Sequence, residues 1–273
     1  MPEPARFPGP FLAGVIHLRP LPGSPGWEGD PDAVLRAAVA DARAFYDGGM
    51  DALVIENFGD LPFFPDRVPP ETVAAMARAA VAVRGDLGDA DFPIGFNVLR
   101  NDAASALGLA AACGGAFVRV NVLCGAMVTD QGLIEGRAAE VLRKRRELCP
   151  GTRLFADVLV KHATPAAPVS IAQAARDTWH RGGADGLIVT GDGTGRETAF
   201  DDLRAVREAV PGAFLLAGSG VTADSLPALL EIADGAIVGT SLKRGGDLAA
   251  PVDPARVAAL VRAAGKTPRT QQG

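Results

Sequence analysis

The chain has few cysteines, no long uninterrupted hydrophobic run and no excess of basic residues, and each absence excludes a class of protein. The 273 residues include three cysteines without C-x-x-C spacing, which indicates reduced thiols and a cytoplasmic protein. Polar residues and glycines interrupt the apolar region 107–128, so we expect no direct insertion into a membrane. A net charge of −5 offers no basic surface for nucleic acid.

Signals for targeting, dinucleotide binding and metal binding are also missing. The apolar run near the N-terminus is short and is followed at once by His17, Arg19 and prolines, which is unlike a signal peptide. No G-x-G-x-x-G follows the first predicted strand. No H-x-H or H-x-x-E spacing occurs, although aspartate and histidine side chains could ligate a divalent ion. We therefore expect no cofactor and no metal.

Strand-like and helix-like segments alternate eight times, which predicts a single-domain (β/α)8 TIM barrel. The predicted strands are residues 12–18, 51–57, 93–99, 116–123, 153–160, 185–190, 213–217 and 233–238. Most are apolar on both faces, as in a parallel sheet covered by helices. An open, doubly wound sheet is the alternative. We expect one domain over residues 1–273, with irregular tails at 1–11 and 265–273.

Capping residues and glycine pairs delimit the predicted helices. These helices are residues 31–47, 70–84, 103–113, 137–148, 171–181, 201–209 and 222–232, with a last one from 254. Asp30-Pro31 and Asp253-Pro254 are N-cap and first-turn signals, and double glycines at 48–49, 114–115 and 182–183 are typical of helix ends. We interpret residues 124–136 as a loop.

Two glycine loops follow the seventh and eighth predicted strands. They comprise Gly218, Ser219 and Gly220, and Gly239, Thr240 and Ser241. Glycine lets the backbone approach a ligand, and a helix start just beyond would add N–H donors and partial positive charge. Loops at these two positions of a TIM barrel frequently bind phosphate. Alternatively, both are only tight strand–helix turns.

Polar residues gather at the predicted strand ends, where a TIM barrel places its chemistry. The catalytic candidates are His17, Glu56, Asp157, Lys161 and His162. Two carboxylates in different surroundings, Glu56 and Asp157, could act as general acid and base. Lys161 could form an imine if burial lowers its pKa, or could hold a carboxylate or phosphate as a point charge. The histidines could transfer protons or serve only as hydrogen-bonding or solvated groups.

Amide, guanidinium and carboxylate side chains at the same ends are candidates for substrate binding. They are Asn57, Asn97, Arg119, Asn121 and Asp192. Arg119 could instead pair with Glu56 or with Asp157, since a carboxylate inside a strand needs a partner. Asp192 could cap the next helix or bind a diol.

The long loop after the second predicted strand contains an aromatic cluster, Phe58, Phe63 and Phe64. These rings could close the barrel mouth or form a contact between copies of the chain in a homo-oligomer. They could also form an apolar patch that binds a partner protein.

Seven blocks distributed over the chain resemble the BtpA/SgcQ family. They are GVIHLRPLPGSPGW, DALVIENFGDLPF, FNVLRNDA, RVNVLCGAMVTDQGLIEG, ADVLVKHA, GLIVTGDGTGRET and GAIVGTSLKRGGD. The resemblance implies a barrel of the ribulose-phosphate-binding type. For function it implies either photosystem I or membrane-complex biogenesis, or a nucleosidase, and it supplies no established catalytic residues.

Two classes of function are therefore open. The first is an enzyme acting on a small phosphorylated sugar or nucleoside: a nucleosidase-type hydrolase or lyase, or a lysine-dependent aldolase or isomerase. The second is a non-catalytic biogenesis or stability factor for a membrane complex. The concentration of polar groups around one barrel mouth favours the enzyme, because such groups are costly unless they bind something.

Overall fold

The protein folds as a closed eight-stranded parallel barrel, in a computed structural model that describes residues 9–190 and 200–269. The strands are β1 (Phe11–His17), β2 (Ala52–Glu56), β3 (Ile94–Asn97), β4 (Phe117–Val120), β5 (Ala126–Thr129), β6 (Gly132–Glu135), β7 (Arg153–Val158), β8 (Ala163–Pro165), β9 (Gly186–Val189), β10 (Leu215–Ala217) and β11 (Gly235–Val238). The barrel order is β1-β11-β10-β9-β7-β4-β3-β2. The predicted TIM barrel is confirmed.

Helices surround the barrel, and their starts agree with the capping signals in the sequence. They are α1 (Pro31–Asp47), α2 (Pro70–Leu87), α3 (Ala103–Cys113), α4 (Ala138–Leu148), α5 (Ile171–Arg176), α6 (Phe200–Ala209), α7 (Leu226–Leu230) and α8 (Pro254–Ala263). The carboxylates of Asp30, Asp102 and Asp253 each accept a backbone N–H in the first turn of the helix that follows. In each predicted glycine pair, one member has a positive φ.

Three predictions of secondary structure are wrong in detail. Residues 124–136 are not a plain loop, because they contain the hairpin β5–β6, which pairs with β8 in a separate three-stranded antiparallel sheet. The fifth helix changes to a π-helical turn at Asp177–Arg181. The seventh helix begins at Leu226 and not at residue 222, because Thr222 and Ser225 form a hydrogen-bonded turn before it.

Phenylalanine rings fill the end of the barrel where the strands begin. Phe11, Phe117, Phe155 and Phe214 contact one another with ring centroids 5.1 to 6.4 Å apart. A Cβ atom on Gly95 would lie 2.2 Å from the ring of Phe117, so this glycine makes room for the ring. This end of the barrel is therefore closed, and the opposite end, where the strands finish, remains open.

Strand register brings polar residues together at the open end. Because β1 pairs with β2 and β2 with β3, His17 lies beside Glu56, and Glu56 beside Asn97. The three form a continuous row across neighbouring strands, in which Asn97 is completely buried. A second apolar layer, between barrel and helices, includes Leu53, Phe96 and Leu187 and holds the strands in place.

Candidate active site

One cavity of about 560 Å³ opens at the ends of the barrel strands, and both glycine loops line it. It also contacts most of the predicted site residues: His17, Glu56, Arg119, Asn121, Lys161, His162, Gly218, Ser219, Gly220, Gly239, Thr240 and Ser241. The floor includes Val15 and Ile237, which belong to the apolar interior of the barrel. Its volume lies in the range of about 300–1,000 Å³ typical of small-molecule sites.

The two glycine loops, 218–222 and 239–241, are joined to each other. The hydroxyl of Ser241 donates a hydrogen bond of 2.5 Å to the carbonyl oxygen of Val221. Neither loop leads directly into a long helix, since a short 3-10 turn, Thr240–Leu242, follows Gly239 and the five-residue α7 starts at Leu226. Donors toward a ligand would therefore come from the loop backbone and hydroxyls, and not from the helix ends that the sequence predicted.

Glycine is required in these loops for conformation and for space. Gly220 has a φ of +68°, a left-handed conformation that favours glycine. A Cβ atom on Gly239 would lie 2.6 Å from Cε1 of His17, and one on Gly218 would lie 2.3 Å from Cγ2 of Ile188. Packing against the barrel thus contributes to the need for glycine at Gly218 and Gly239, beside any approach to a ligand.

His17 is held as a neutral imidazole in the cavity wall. Burial, together with the positive charges of Lys243, Lys161 and Arg119, lowers its pKa to about 3. Its ring packs on Phe58, with centroids 4.9 Å apart, and its buried Nδ1 has no hydrogen-bond partner in the described structure. His17 can therefore accept or donate a hydrogen bond but is not a permanent cation.

Glu56 presents a carboxyl group to the cavity from the end of β2. Burial raises its pKa, and the nearby charges of Arg119 and Lys161 oppose this effect. Its oxygen Oε1 lies 3.7 Å from Nε2 of His17. The possible salt bridge with Arg119 is absent from the described structure, because Arg119 pairs with another carboxylate. Glu56 is thus suited to exchange a proton with a ligand.

Asp157 does not contact the cavity, and its carboxylate is occupied by protein partners. Arg119 donates to both of its oxygens at 2.9 and 3.0 Å, and Asn121 donates at 2.9 Å. The side chain of Asp157 is fully shielded from solvent. Asn97 continues the network by donating to the oxygen of Asn121 at 3.1 Å. The prediction that Asp157 is a catalytic acid or base finds no support in this arrangement.

Asn57 and Asn97 also lie outside the cavity lining. Asn57 accepts the backbone N–H of Leu99 at 2.7 Å and donates to Asp60 at 3.1 Å. Asn57 therefore joins the ends of β2 and β3, and its amide has little hydrogen-bonding capacity left for a substrate. Asn97 is completely buried below the rim. Asp192 lies outside the described residues.

Lys161 and His162 follow β7 and reach the cavity together. Burial lowers the pKa of Lys161, and the charge of Arg119 lowers it further. His162 and the preceding Leu159 have positive φ values of 58° and 51°, which are uncommon for residues other than glycine and occur preferentially at functional sites. Burial also lowers the pKa of His162, and the charge of Lys161 adds to this effect.

Two charged residues of the cavity were not predicted as site residues. Arg100 follows β3 and donates from Nη2 to the carbonyl oxygen of Lys161 at 2.7 Å. Its position after a strand end was visible in the sequence. Asp130 lies at the tip of the β5–β6 hairpin, so its place depends on a sheet that the sequence did not reveal.

The aromatic loop after β2 contributes to the cavity wall. Phe58 and Phe63 line the cavity, in agreement with the mouth-closing alternative, whereas Phe64 is 55% exposed. Over residues 9–190 and 200–269, no three His, Cys, Asp or Glu side chains group closely enough to hold a metal ion.

Comparisons with known proteins identify close relatives along almost the whole chain. The model of the BtpA family matches residues 10–266. The photosystem I biogenesis protein BtpA of Synechocystis is 46% identical over 92% of this chain and 87% of its own length. The sgc region protein SgcQ of Escherichia coli is 33% identical over 90% and 91%, respectively.

Solved structures with low sequence identity share the barrel fold. Tryptophan synthase from Mycobacterium tuberculosis matches with a TM-score of 0.61 and 17% identity, over 94% of this chain and 93% of its own. None of the helices among the described residues has the length and apolar character needed to cross a membrane.

Proposed function

The chain belongs to the BtpA family, and we propose that it is an enzyme acting on a small phosphorylated sugar-like substrate, with Glu56 and Lys161 as its proton-transfer pair. The observation that carries the proposal is one shared cavity, lined by the two glycine loops and by these two side chains. The reaction we favour is of the isomerase or aldolase type, in which a proton moves at a carbon next to a carbonyl group.

The glycine loops would hold the phosphate. Both follow neighbouring barrel strands, β10 and β11, which is the place where many TIM barrels bind phosphate. Gly220 exposes backbone without a side chain, and Thr240 lines the same wall. The hydrogen bond between the loops keeps their relative position fixed before a ligand arrives, which reduces the ordering cost of binding.

Opposite pKa shifts support proton transfer by Glu56 and Lys161. Burial raises the pKa of Glu56 and lowers that of Lys161, so both shifts bring proton exchange closer to neutral pH. Neither side chain forms an ion pair with an oppositely charged Lys, Arg, Asp or Glu in the described part of the chain. Lys161 could polarise the substrate carbonyl as an ammonium or, when neutral, attack it to form an imine.

A nucleosidase is a weaker candidate on this geometry. Glycosidic hydrolysis normally needs two carboxyl groups that flank the bond to be broken. Glu56 lines the cavity, but the predicted second carboxylate, Asp157, is fully engaged by Arg119 and Asn121. The other carboxylate of the lining, Asp130, is exposed at the tip of the β5–β6 hairpin.

A non-catalytic role in complex assembly is the second candidate. It is favoured by the name of the Synechocystis relative, a photosystem I biogenesis protein at 46% identity. The exposed side chains of Leu61 and Phe64, beside the cavity, could contact a partner. Glu56→Gln and Lys161→Met distinguish the two roles. If the protein is an enzyme, both variants should lose catalytic turnover while remaining folded. If it is an assembly factor, both variants should support assembly of the complex nearly as well as the wild-type protein.

Thermal unfolding with inorganic phosphate and ribose 5-phosphate tests the phosphate site. A ligand at 100 times its Kd should add about 2.7 kcal/mol to the free energy of unfolding. We expect Thr240→Asp to abolish this gain, because its carboxylate would repel phosphate, and the matched variant Thr240→Asn to retain most of it. Absence of a gain in the wild-type protein with either ligand would overturn the proposal.

A further inference from the structure

Charge is distributed unequally across the cavity mouth. The ring of strands places β10 and β11 side by side, and directly across from them lie β3 and β4. The loops after β10 and β11 line the cavity with glycine, serine, threonine and valine, which carry no charge. Arg100 follows β3, and Lys161 follows β7, which is next to β4. The cationic side of the mouth thus faces the glycine loops.

Arg100 is positioned but not neutralised by a contact. Its Nη2 donates to the carbonyl oxygen of Lys161 at 2.7 Å, and its backbone N–H donates to the oxygen of Phe64 at 3.0 Å. Within residues 9–190 and 200–269 it forms no ion pair with a carboxylate. The side chain is buried, and Asp157, Asp130 and Glu56 act on its charge without contacting it, so a ligand anion in direct contact would stabilise it further.

Each of the other charged groups that we consider near the mouth is either a cation already paired with a carboxylate or an acid. Arg119 is bound to Asp157, and the buried Lys243 is bound to Asp41 at 2.7 Å. Glu56 and Asp130 line the same cavity and would repel an anion that came close to them. Arg100 and Lys161 remain as the cations available to a ligand.

We propose that the substrate carries two anionic groups, a phosphate at the glycine loops and a carboxylate at Arg100. The substrate class is therefore a phosphorylated sugar acid. This inference rests on the proposed function, because it assigns the phosphate to the same loops. Arg100 is a binding residue in this assignment, and Lys161, whose carbonyl oxygen accepts from Arg100, keeps its role at the substrate carbonyl.

A carboxylate fits the Arg100 side better than a second phosphate. The planar guanidinium matches the two oxygens of a carboxylate and can bind them with parallel hydrogen bonds. A phosphate would bring nearly twice the negative charge toward Glu56 and Asp130, which share the mouth. The like-charge repulsion is therefore smaller for the carboxylate.

Calorimetric titration with three matched probes tests the assignment. The probes are 6-phosphogluconate, sorbitol 6-phosphate, which replaces the carboxylate by a hydroxymethyl group, and gluconate, which lacks the phosphate. We expect wild-type protein to bind 6-phosphogluconate at least about tenfold more tightly than sorbitol 6-phosphate, as a charge-assisted bidentate pair allows. Gluconate should bind most weakly.

Substitutions of Arg100 should remove this preference without affecting the phosphate. In Arg100→Gln, 6-phosphogluconate and sorbitol 6-phosphate should bind equally, at the wild-type affinity for sorbitol 6-phosphate. Arg100→Lys keeps the charge but loses the planar fork, and should retain part of the preference. Asp130→Asn removes from the mouth a negative charge that repels the ligand, so it should tighten the binding of 6-phosphogluconate. Unfolding curves establish that each variant is folded.

The possible failures are distinguishable. If the two phosphorylated probes bind wild-type protein equally, the carboxylate assignment is overturned while the phosphate site stands. If fructose 1,6-bisphosphate binds more tightly than 6-phosphogluconate and this depends on Arg100, the second anion is a phosphate and the assignment is also overturned. If none of the probes binds, and Thr240→Asp changes nothing, the proposed function itself fails.

Discussion

The hydroxyl of Ser241 donates a hydrogen bond to the carbonyl oxygen of Val221, so the two glycine loops hold each other in place. We expect Ser241→Ala to lower the free energy of unfolding by about 0.5–1.5 kcal/mol, the usual net value of one hydrogen bond. Affinity for phosphate should fall as well, because the loops would no longer be fixed before binding. Urea unfolding and phosphate titration measure the two effects.

Thr152→Val is the matched control for that variant. The hydroxyl of Thr152 donates to the carbonyl oxygen of Gly115 at 3.0 Å, near the closed end of the barrel, so its loss should cost a similar amount of stability and leave phosphate affinity unchanged. Equal effects of the two substitutions on phosphate affinity would show that the contact between the loops is unimportant.

The buried pair of Arg119 and Asp157 should be structural. Removing one partner leaves an uncompensated buried charge, so Asp157→Ala should lose about 3–5 kcal/mol of unfolding free energy. The double variant Arg119→Met, Asp157→Leu should recover much of this loss, because no lone charge remains. Equilibrium unfolding in urea measures both. A loss under about 1 kcal/mol in Asp157→Ala would contradict the structural role.

His17 should remain neutral far below the ordinary histidine pKa of 6.5. Its pKa in the folded protein is about 3, so the unfolded chain takes up a proton near pH 6.5 and the folded one does not. The contribution of His17 to the free energy of unfolding is therefore fully present above pH 6.5. It falls as the pH decreases toward 3, by up to about 1.4 kcal/mol per pH unit. We expect the free energy of unfolding of His17→Gln to depend less steeply on pH over this range, as measured by unfolding curves at a series of pH values.

NMR titration of the imidazole signals tests the same point directly. The chain has three histidines, and the signal lost in His17→Gln identifies the relevant one. It should not titrate between pH 5 and pH 8, values chosen around the histidine range. A midpoint near 6.5 would refute the buried, neutral assignment.

Lys161 should react with acetic anhydride at a lower pH than an ordinary lysine. Burial and Arg119 lower its pKa, so a larger fraction of its amine is unprotonated at a given pH below 10.5. The chain has three other lysines, of which Lys144 forms no ion pair in the described structure and serves as the reference. Mass spectrometry of peptides labelled across a pH series gives both midpoints. If the midpoints of Lys161 and Lys144 coincide, the pKa of Lys161 is not lowered, and the proposed proton transfer or imine formation by Lys161 loses its support.

The barrel was predictable because its signals are local. Asp30-Pro31 and Asp253-Pro254 fix two helix starts through side-chain caps, and Gly49, Gly114 and Gly183 adopt the left-handed conformation that follows a helix. The β5–β6 hairpin was missed because its two-residue turn, Asp130-Gln131, lacks the glycine typical of such turns. The third strand of its sheet, Ala163–Pro165, is three residues long and distant in sequence. Pairing over such a separation has no local signature.

The candidate site was predictable in position but not in its pairings. His17, Glu56 and Lys161 follow or end barrel strands, and that alone places them at the mouth. The choice of Asp157 as partner of Arg119 depends on the register between β4 and β7, which sets both side chains on neighbouring strands. Asn57 looked equally suitable for substrate, but its amide instead joins two strand ends.

Amide NMR of the protein during a phosphate titration shows directly whether the two glycine loops form one phosphate site. We expect the signals of Gly220, Thr240 and Ser241 to shift together with a single Kd, since both loops line one cavity. Gly151 and Gly212, in the loops before β7 and β10 at the closed end of the barrel, should not move. Shifts scattered over surface cations, or loop signals that stay unchanged while others move, would contradict this expectation.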